Sequence, residues 1–507
     1  MKKLMSAVVA TGFMLSSVSM AAATDIKVKG TFDFGFGLYD GANFAKHNND
    51  ENFDALQRFR SQIDFIASES LKGVAYFEIG NTHWGHGGGA TWGSGDGAGR
   101  GAGGAMGADG VAVEVKNLYI DWLLPETDLQ IRMGIQPFAL PHAVTRADGE
   151  SGDYILDDDL AGILLSYNFN EMVGMNLGWF RPWNPYLEGE DADQNSPWKG
   201  LERHDAIDLF VLSIPIQMKD SFSFTPYGVY ASVGQVDGIT ELALDPREGS
   251  IGAWLSRNGE LGDSGNAWWV GAAFELTHFD PFVFALDFTY GQYDSDNVAG
   301  RKITYYGQDG TPYTTSFGNQ SKRSGWAIIA KMGYKLDYFT PVVYGWYGSG
   351  TDNLMKDGLD GVMPYLAPDW GLTSFGWSNA HFGGREYLIG ATPAGTWAVG
   401  VGLEDIHFIE RLTSQLRVMY FKGTNDINDV SKEWYDAGIR RGDSFRSLGL
   451  LDTSDWGIEV NLDNVINIYE NLDMFVELGY IHLDLDQAPH NFEQNAYKGY
   501  VGFTYSF

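Results

Sequence analysis

Apolar and polar residues alternate along most of this chain. In the first run, Ile26, Val28, Phe32, Phe34, Phe36 and Leu38 share one face, while Lys27, Lys29, Thr31, Asp33 and Tyr39 share the other. In the second, Phe59, Ile63, Phe65 and Ala67 oppose Arg58, Arg60, Gln62 and Asp64. A fifth run sets Leu129, Ile131, Met133 and Ile135 against Gln130, Arg132 and Gln136. The last sets Tyr497, Val501, Phe503, Tyr505 and Phe507 against Lys498, Tyr500, Thr504 and Ser506. A period of two over about ten residues is a strand with two unlike faces; a helix would scatter the same side chains around its axis.

The links between runs are of two kinds. Short ones lie near Lys72-Gly73, Glu126-Thr127-Asp128, Glu171-Met172, Asp220-Ser221, Asp280-Pro281, Asp337-Tyr338, Glu410-Arg411 and Glu470-Asn471. Long polar ones span 41–54, 86–110, 142–159, 186–204, 236–264, 295–323, 351–394, 427–453 and 487–494. Together they join about eighteen strands, or sixteen if the weaker runs around 395–426 are loop or one bent hairpin. Alternating short and long links belong to a transmembrane antiparallel β-barrel, with short periplasmic turns at one end and long extracellular loops at the other. A soluble β-sandwich has no reason to sort its connections this way. Phe224-Thr225-Pro226-Tyr227-Gly228 recurs in part as Phe339-Thr340-Pro341 and Tyr344-Gly345, each just after a short turn, which suits an array of hairpins. The stretch 85–110 is rich in glycine and reads as loop.

Composition sharpens this picture. The chain holds 65 Gly, 26 Tyr, 31 Phe and 16 Trp, yet its mean hydropathy is only −0.20. A wall apolar outside and polar inside has that mixture. Lipid explains closure, because each unpaired backbone group in hydrocarbon is costly and an open sheet would leave two edges of them. Trp122, Trp179, Trp456 and Tyr505 stand near strand ends on the apolar face, where interfacial aromatic girdles form. At the N-terminus, Lys2 and Lys3, an apolar run from Leu4 to Met20 and the triplet Ala21-Ala22-Ala23 have the order of a secretory signal peptide. The expected organisation is residues 1–23 as a cleaved signal and 24–507 as one barrel domain.

With no cysteine, the chain has no disulfide scaffold, thiolate metal site or cysteine nucleophile. A formal net charge of −32 repels nucleic acid. Gly99, Gly101 and Gly104 match a dinucleotide fingerprint only because the loop is saturated with glycine. Asp191, Asp193, Asn195 and Glu202 have an EF-hand spacing, but Ser196 occupies the position that needs glycine. His83 and His86 are spaced like metal ligands at the edge of the glycine-rich loop, and read as a surface pair. No nucleophile elbow is present. The expectation is a non-enzyme with no cofactor and no metal.

The segments Asp25–Thr31, Arg58–Phe65, Leu71–Val74, Phe77–Gly80, Tyr119–Trp122, Arg132–Pro141 and Ile155–Asp159 resemble the trimeric outer-membrane porins of Desulfovibrio-type sulfate-reducing bacteria. The likeness is dense over the first third and thins to pattern afterwards. It implies a homotrimer of diffusion pores in outer-membrane lipid and lipopolysaccharide. It also implies that the link 142–159, after the fifth strand, folds inward to constrict the pore. Phe503, Tyr505 and Phe507 are similar to the C-terminal insertion signal read by the barrel-assembly machinery. The constriction loop carries Asp148, Glu150, Asp153, Asp157, Asp158 and Asp159, and the nearby wall presents Lys29, Arg58, Arg60 and Arg132 to the lumen. Opposed acids and bases would set a transverse field for small hydrophilic solutes, and the acids outnumber the bases, so weak cation preference is expected. A substrate-specific channel and a non-conducting structural barrel are the competing readings.

Overall fold

The computed structural model describes residues 24–42, 44, 52–85, 113–144, 153–183, 206–218, 221–234, 264–296, 302–306, 312–316, 321–352, 360–377, 380–384, 388–426, 451–486 and 492–507. They form 21 strands and, among the described residues, no helix. The strands are β1 (Asp25–Asp40), β2 (Asn52–Ser68), β3 (Leu71–His83), β4 (Glu114–Leu123), β5 (Leu129–Ala139), β6 (Asp157–Asn168) and β7 (Gly174–Trp183). Next come β8 (Ile207–Ser213), β9 (Ile216–Met218), β10 (Phe222–Val233), β11 (Ser264–Leu276), β12 (Phe282–Asp296), β13 (Lys302–Tyr306) and β14 (Pro312–Ser316). The remainder are β15 (Ser321–Tyr334), β16 (Thr340–Gly348), β17 (Thr396–Ile409), β18 (Leu412–Gly423), β19 (Trp456–Tyr469), β20 (Leu472–Asp484) and β21 (Asn495–Ser506).

Each wall strand pairs antiparallel with the next, and β1 returns to β21 from Thr31↔Ser506 to Asp40↔Tyr497. The ring is therefore closed. β8 and β9 both pair with β10 and form one wall strand interrupted at Ile214-Pro215, where proline cannot donate to the ladder. β13 and β14 form a separate hairpin between β12 and β15. The wall thus has eighteen strands, the number expected from the links, and the weaker runs around 395–426 are two paired strands, β17 and β18.

Alternation decides the faces. On β1, Asp33, Gly35, Gly37 and Tyr39 are buried toward the lumen, while Ile26, Val28, Phe32 and Leu38 are exposed outside. The outside carries belts of rings near the loop end: Phe210–Tyr230, Trp268–Tyr290, Trp326–Tyr347, Trp397–Tyr420, Tyr420–Trp456 and Tyr480–Tyr497 are neighbours, with centroids 5.0–6.4 Å apart. Over β4–β6 that belt stops. Pro137, Ala139 and Ala161 stand there instead, with the ion pair Lys116–Asp159 at 2.6 Å. The C-terminus closes the ring: Phe507 and Gly30 exchange both backbone hydrogen bonds, at 3.0 and 3.1 Å. A side chain at Gly30 would strike Arg60 O and the Phe507 ring.

The buried apolar residues lie inside the ring. A ring of 16–18 strands is too wide for wall side chains alone to fill. The two chain segments that supply the rest define the candidate site.

Candidate functional site

The lumen wall over β1–β5 is lined by cross-strand ion pairs. Arg58 lies directly opposite Asp33, Arg60 opposite Glu78 and Arg132 opposite Asp121. Directly opposed residues share a face, so each pair closes: Arg58 Nε–Asp33 Oδ2 3.1 Å, Arg60 Nε–Glu78 Oε2 2.6 Å, and Arg132 to both Asp121 oxygens at 2.7 and 3.1 Å. Lys72 adds a second cation on Asp121 at 3.5 Å. Arg132 also lies 4.7 Å over the Tyr119 ring. The bare backbone of Gly134, at φ 129°, lets Tyr119 lie against it; a Cβ there would meet Tyr119 Cα at 2.7 Å. Lys29 faces the lumen opposite Gln62, nearer the turn end, and is exposed. Arg58, Arg60 and Arg132 share their strand faces with Asp33, Glu78 and Asp121, and Lys29 lies on the same face of β1 as Asp33. The sequence reading missed that Asp33, Glu78 and Asp121 neutralise the three arginines locally.

The connection from β5 to β6 enters the barrel and reaches the opposite wall. Ala143 N and Val144 N both donate to the Asp287 carboxylate on β12, at 2.7 and 2.8 Å. The Tyr154 and Tyr227 hydroxyls both bond Thr289 Oγ1. Asp153 is fully buried and folds back on its own chain, accepting from Ile155 N at 2.7 Å and Leu156 N at 2.9 Å. Burial holds its carboxyl well above the usual carboxylate range.

Two expectations for this loop need correction. Its charged stretch Asp157–Asp159 is already strand, the first three residues of β6, because it pairs with Pro137–Ala139. Alternation then splits it. Asp158 lies on the lumen side, whereas Asp159 lies on the outer side and holds Lys116 Nζ and Asn117 Nδ2, each at 2.6 Å. Asp148 and Glu150 lie outside the described residues, as do His86 and the Asp191–Glu202 stretch. His83 pairs with Asp54 at 2.8 Å.

A second inward segment was not anticipated. The connection from β16 to β17 crosses the lumen along residues 360–377 and 380–384. On one side, Arg323 of β15 donates to Val362 O and Met363 O, and Trp269 of β11 donates to Pro364 O. In the middle it joins the first segment: Leu366 N and Ala367 N donate to Ile155 O, and Asp157 N donates to Ala367 O. On the far side, Ser374 Oγ reaches Asp463, Gly376 N reaches Glu459, and His381 reaches Glu477, which also pairs with Lys498. Its tip lies on β21, β1 and β2, with Tyr500 donating to Phe382 O, Tyr39 to Gly383 O, and Arg58 stacked 4.2 Å over Phe382. Trp346, Trp370, Trp377 and Phe421 pack edge to face at its centre. One sequence signal was available: Met363, Tyr365, Leu366, Trp370, Leu372, Phe375 and Trp377 make this link too apolar for a loop in water.

Phe503, Tyr505 and Phe507 all face outward near the turn end, where Tyr505 and Phe507 cluster with Phe32.

No protein-family model and no curated protein matches the chain. Among solved structures it is similar to three outer-membrane proteins of Pseudomonas aeruginosa. With OprD the TM-score is 0.49 at 11% identity, covering 97% of each chain. With OccK3 (OpdO) it is 0.49 at 11%, and with OccK11 (OpdR) 0.48 at 11%, each covering 95% of this chain and 96% of the other. At that identity and superposition the likeness adds no argument to the strand pairing above.

Proposed function

We propose that this chain is an outer-membrane porin, a water-filled channel through which ions and small polar solutes diffuse passively. One observation carries the reading. A closed ring with an apolar, ring-belted outside encloses a lumen that keeps charged side chains partly exposed along β1–β5, at 23% for Arg60, 26% for Arg132 and 41% for Lys72. Lipid outside and water inside account for both faces at once. The two inward segments rest mainly on β10–β12 and β15–β21, with the tip of the second over Arg58, so the path for solutes runs beside the wall at Arg60, Lys72 and Arg132. The roles of Arg58, Arg60, Arg132 and Asp158 belong to this proposal: opposed charges fixed on that wall orient dipolar solutes.

A substrate-specific channel is the second reading, favoured by the second inward segment, which narrows the lumen beyond what one constriction loop does. Export by the cleaved signal peptide, insertion through the C-terminal aromatics and assembly as a homotrimer complete the proposal. The break in the aromatic belt over β4–β6 supports the last, because an ion pair such as Lys116–Asp159 is better placed against protein than against lipid.

Liposome swelling tests the function. Vesicles carrying the protein should swell in small sugars and amino acids, at rates that fall smoothly with solute size. Swelling limited to one solute class would favour the specific channel, and none at all would refute both readings.

A further inference from the structure

Tyr76 on β3 and Tyr119 on β4 differ from the other wall tyrosines of the inner face. Tyr76 lies two residues from Glu78 and Tyr119 two residues from Asp121, so both share a face with the ion pairs. Each is partly exposed, and neither hydroxyl is buried or bonded to a described residue. By contrast, Tyr39 and Tyr500 donate to Gly383 O and Phe382 O, Tyr227 bonds Thr289, and Tyr293 and Tyr344 are at most 3% exposed. The ion pairs around the two tyrosines also keep unused edges among the described residues. Arg60 spends Nε on Glu78 Oε2, which leaves both its Nη groups and Glu78 Oε1. Arg132 spends Nε and Nη2 on Asp121, which leaves Nη1. Gln62, directly opposite Tyr76, donates to Asp64 and keeps its carbonyl oxygen. Donors and acceptors thus lie side by side from Glu78 down to Lys72, about 20 Å at the rise of a strand.

We propose that this face of β2–β5, from Arg60 to Arg132, is a track that weakly binds neutral polyhydroxylated solutes, sugars above all, with Tyr76 and Tyr119 as contact residues. This rests on the channel reading above and gives it a solute class. A free anion finds each arginine here already facing a carboxylate, and a free cation finds each carboxylate already facing an arginine. A hydroxyl donates and accepts at once, so it bonds beside such a pair without breaking it. The tyrosine rings add apolar surface for the carbons of a sugar ring. Phe382, over Arg58, bounds the track at its loop end. Lys29 opposite Gln62, and Lys72 as the second cation on Asp121, are in excess of the acids, so a sugar acid is the competitor that discriminates.

Maltose added to the wild-type protein in a planar bilayer should interrupt the salt current, and the interruption should saturate with concentration. Tyr76→Phe with Tyr119→Phe keeps both rings and removes both hydroxyls, and should raise the half-saturating concentration about tenfold. Should the double variant fail to assemble, Tyr119→Phe alone should raise it about threefold. Gluconate should interrupt the current less effectively than glucose. An interruption that never saturates, an unchanged half-saturating concentration in the variant, or gluconate acting at lower concentration than glucose would each overturn the track while leaving the porin reading intact. Wild-type protein that passes no salt current would overturn both.

Discussion

Asp287→Ala should release the first inward segment from the far wall. Asp287 is 3% exposed and accepts the backbone N–H groups of Ala143 and Val144. A buried donor left without its acceptor costs about 1–3 kcal/mol, and truncation strips the acceptor from one half-buried and one buried donor. Water entering the site offsets part of this, so a net loss of about 3 kcal/mol is expected, or roughly a hundredfold in the seated fraction. Asp287→Asn keeps one acceptor oxygen and should lose about half as much, roughly tenfold. The assay is single-channel recording in planar bilayers. The alanine variant should show higher mean conductance and more open-state noise, with asparagine between it and the wild type. Heat-modifiable migration on gels, which reports the closed barrel, should be unchanged in all three. Identical conductance and noise across the series would mean that this tether does not govern the pore.

Four further outcomes are expected. Deleting Phe507 removes the ring and both bonds to Gly30, and should cut outer-membrane yield while leaving secretion intact; normal yield would count against a role in insertion. Neutralising Arg58 and Arg60 leaves Asp33 and Glu78 uncompensated and should shift the reversal potential toward cations, whereas Asp153→Asn, buried against its own backbone, should leave it unmoved. Burial raises the Asp455 carboxyl to about 7, with Asp452 and Asp486 adding repulsion, so the folded state holds a proton that the unfolded chain releases nearer 4. Its stabilisation is full below about pH 4 and is lost as pH rises through about 7, so the unfolding midpoint should be higher at pH 5 than at pH 8, and Asp455→Asn should flatten the difference. In mild detergent the protein should have the mass of a trimer after correction for bound detergent, and Lys116→Ala with Asp159→Ala should loosen it; a monomeric wild type would refute the trimer.

Much of this architecture is legible in the chain because a barrel wall is a local code. Alternation at Asp33, Arg58, Arg60 and Arg132 fixes which side chains face inward, and the short turns at Glu126-Thr127-Asp128 or Glu470-Asn471 fix the strand count, with no need to know what touches what. The interior is a different problem. Asp33, Glu78 and Asp121 neutralise the arginines through register, which depends on how β1–β5 slide past one another. The division of Asp158 from Asp159 depends on where β6 begins, and one residue reverses the face. The second inward segment binds residues as far apart in sequence as Arg323, Glu459 and Tyr39, and no local pattern encodes such partners, although its tryptophans mark it as buried.

The central claim is that this barrel conducts. Purified protein reconstituted into a planar bilayer should give discrete current steps whose size rises in proportion to the bulk conductivity of the salt, as expected of a water-filled pore. A bilayer that stays silent although the protein is inserted and migrates as a folded barrel would contradict it.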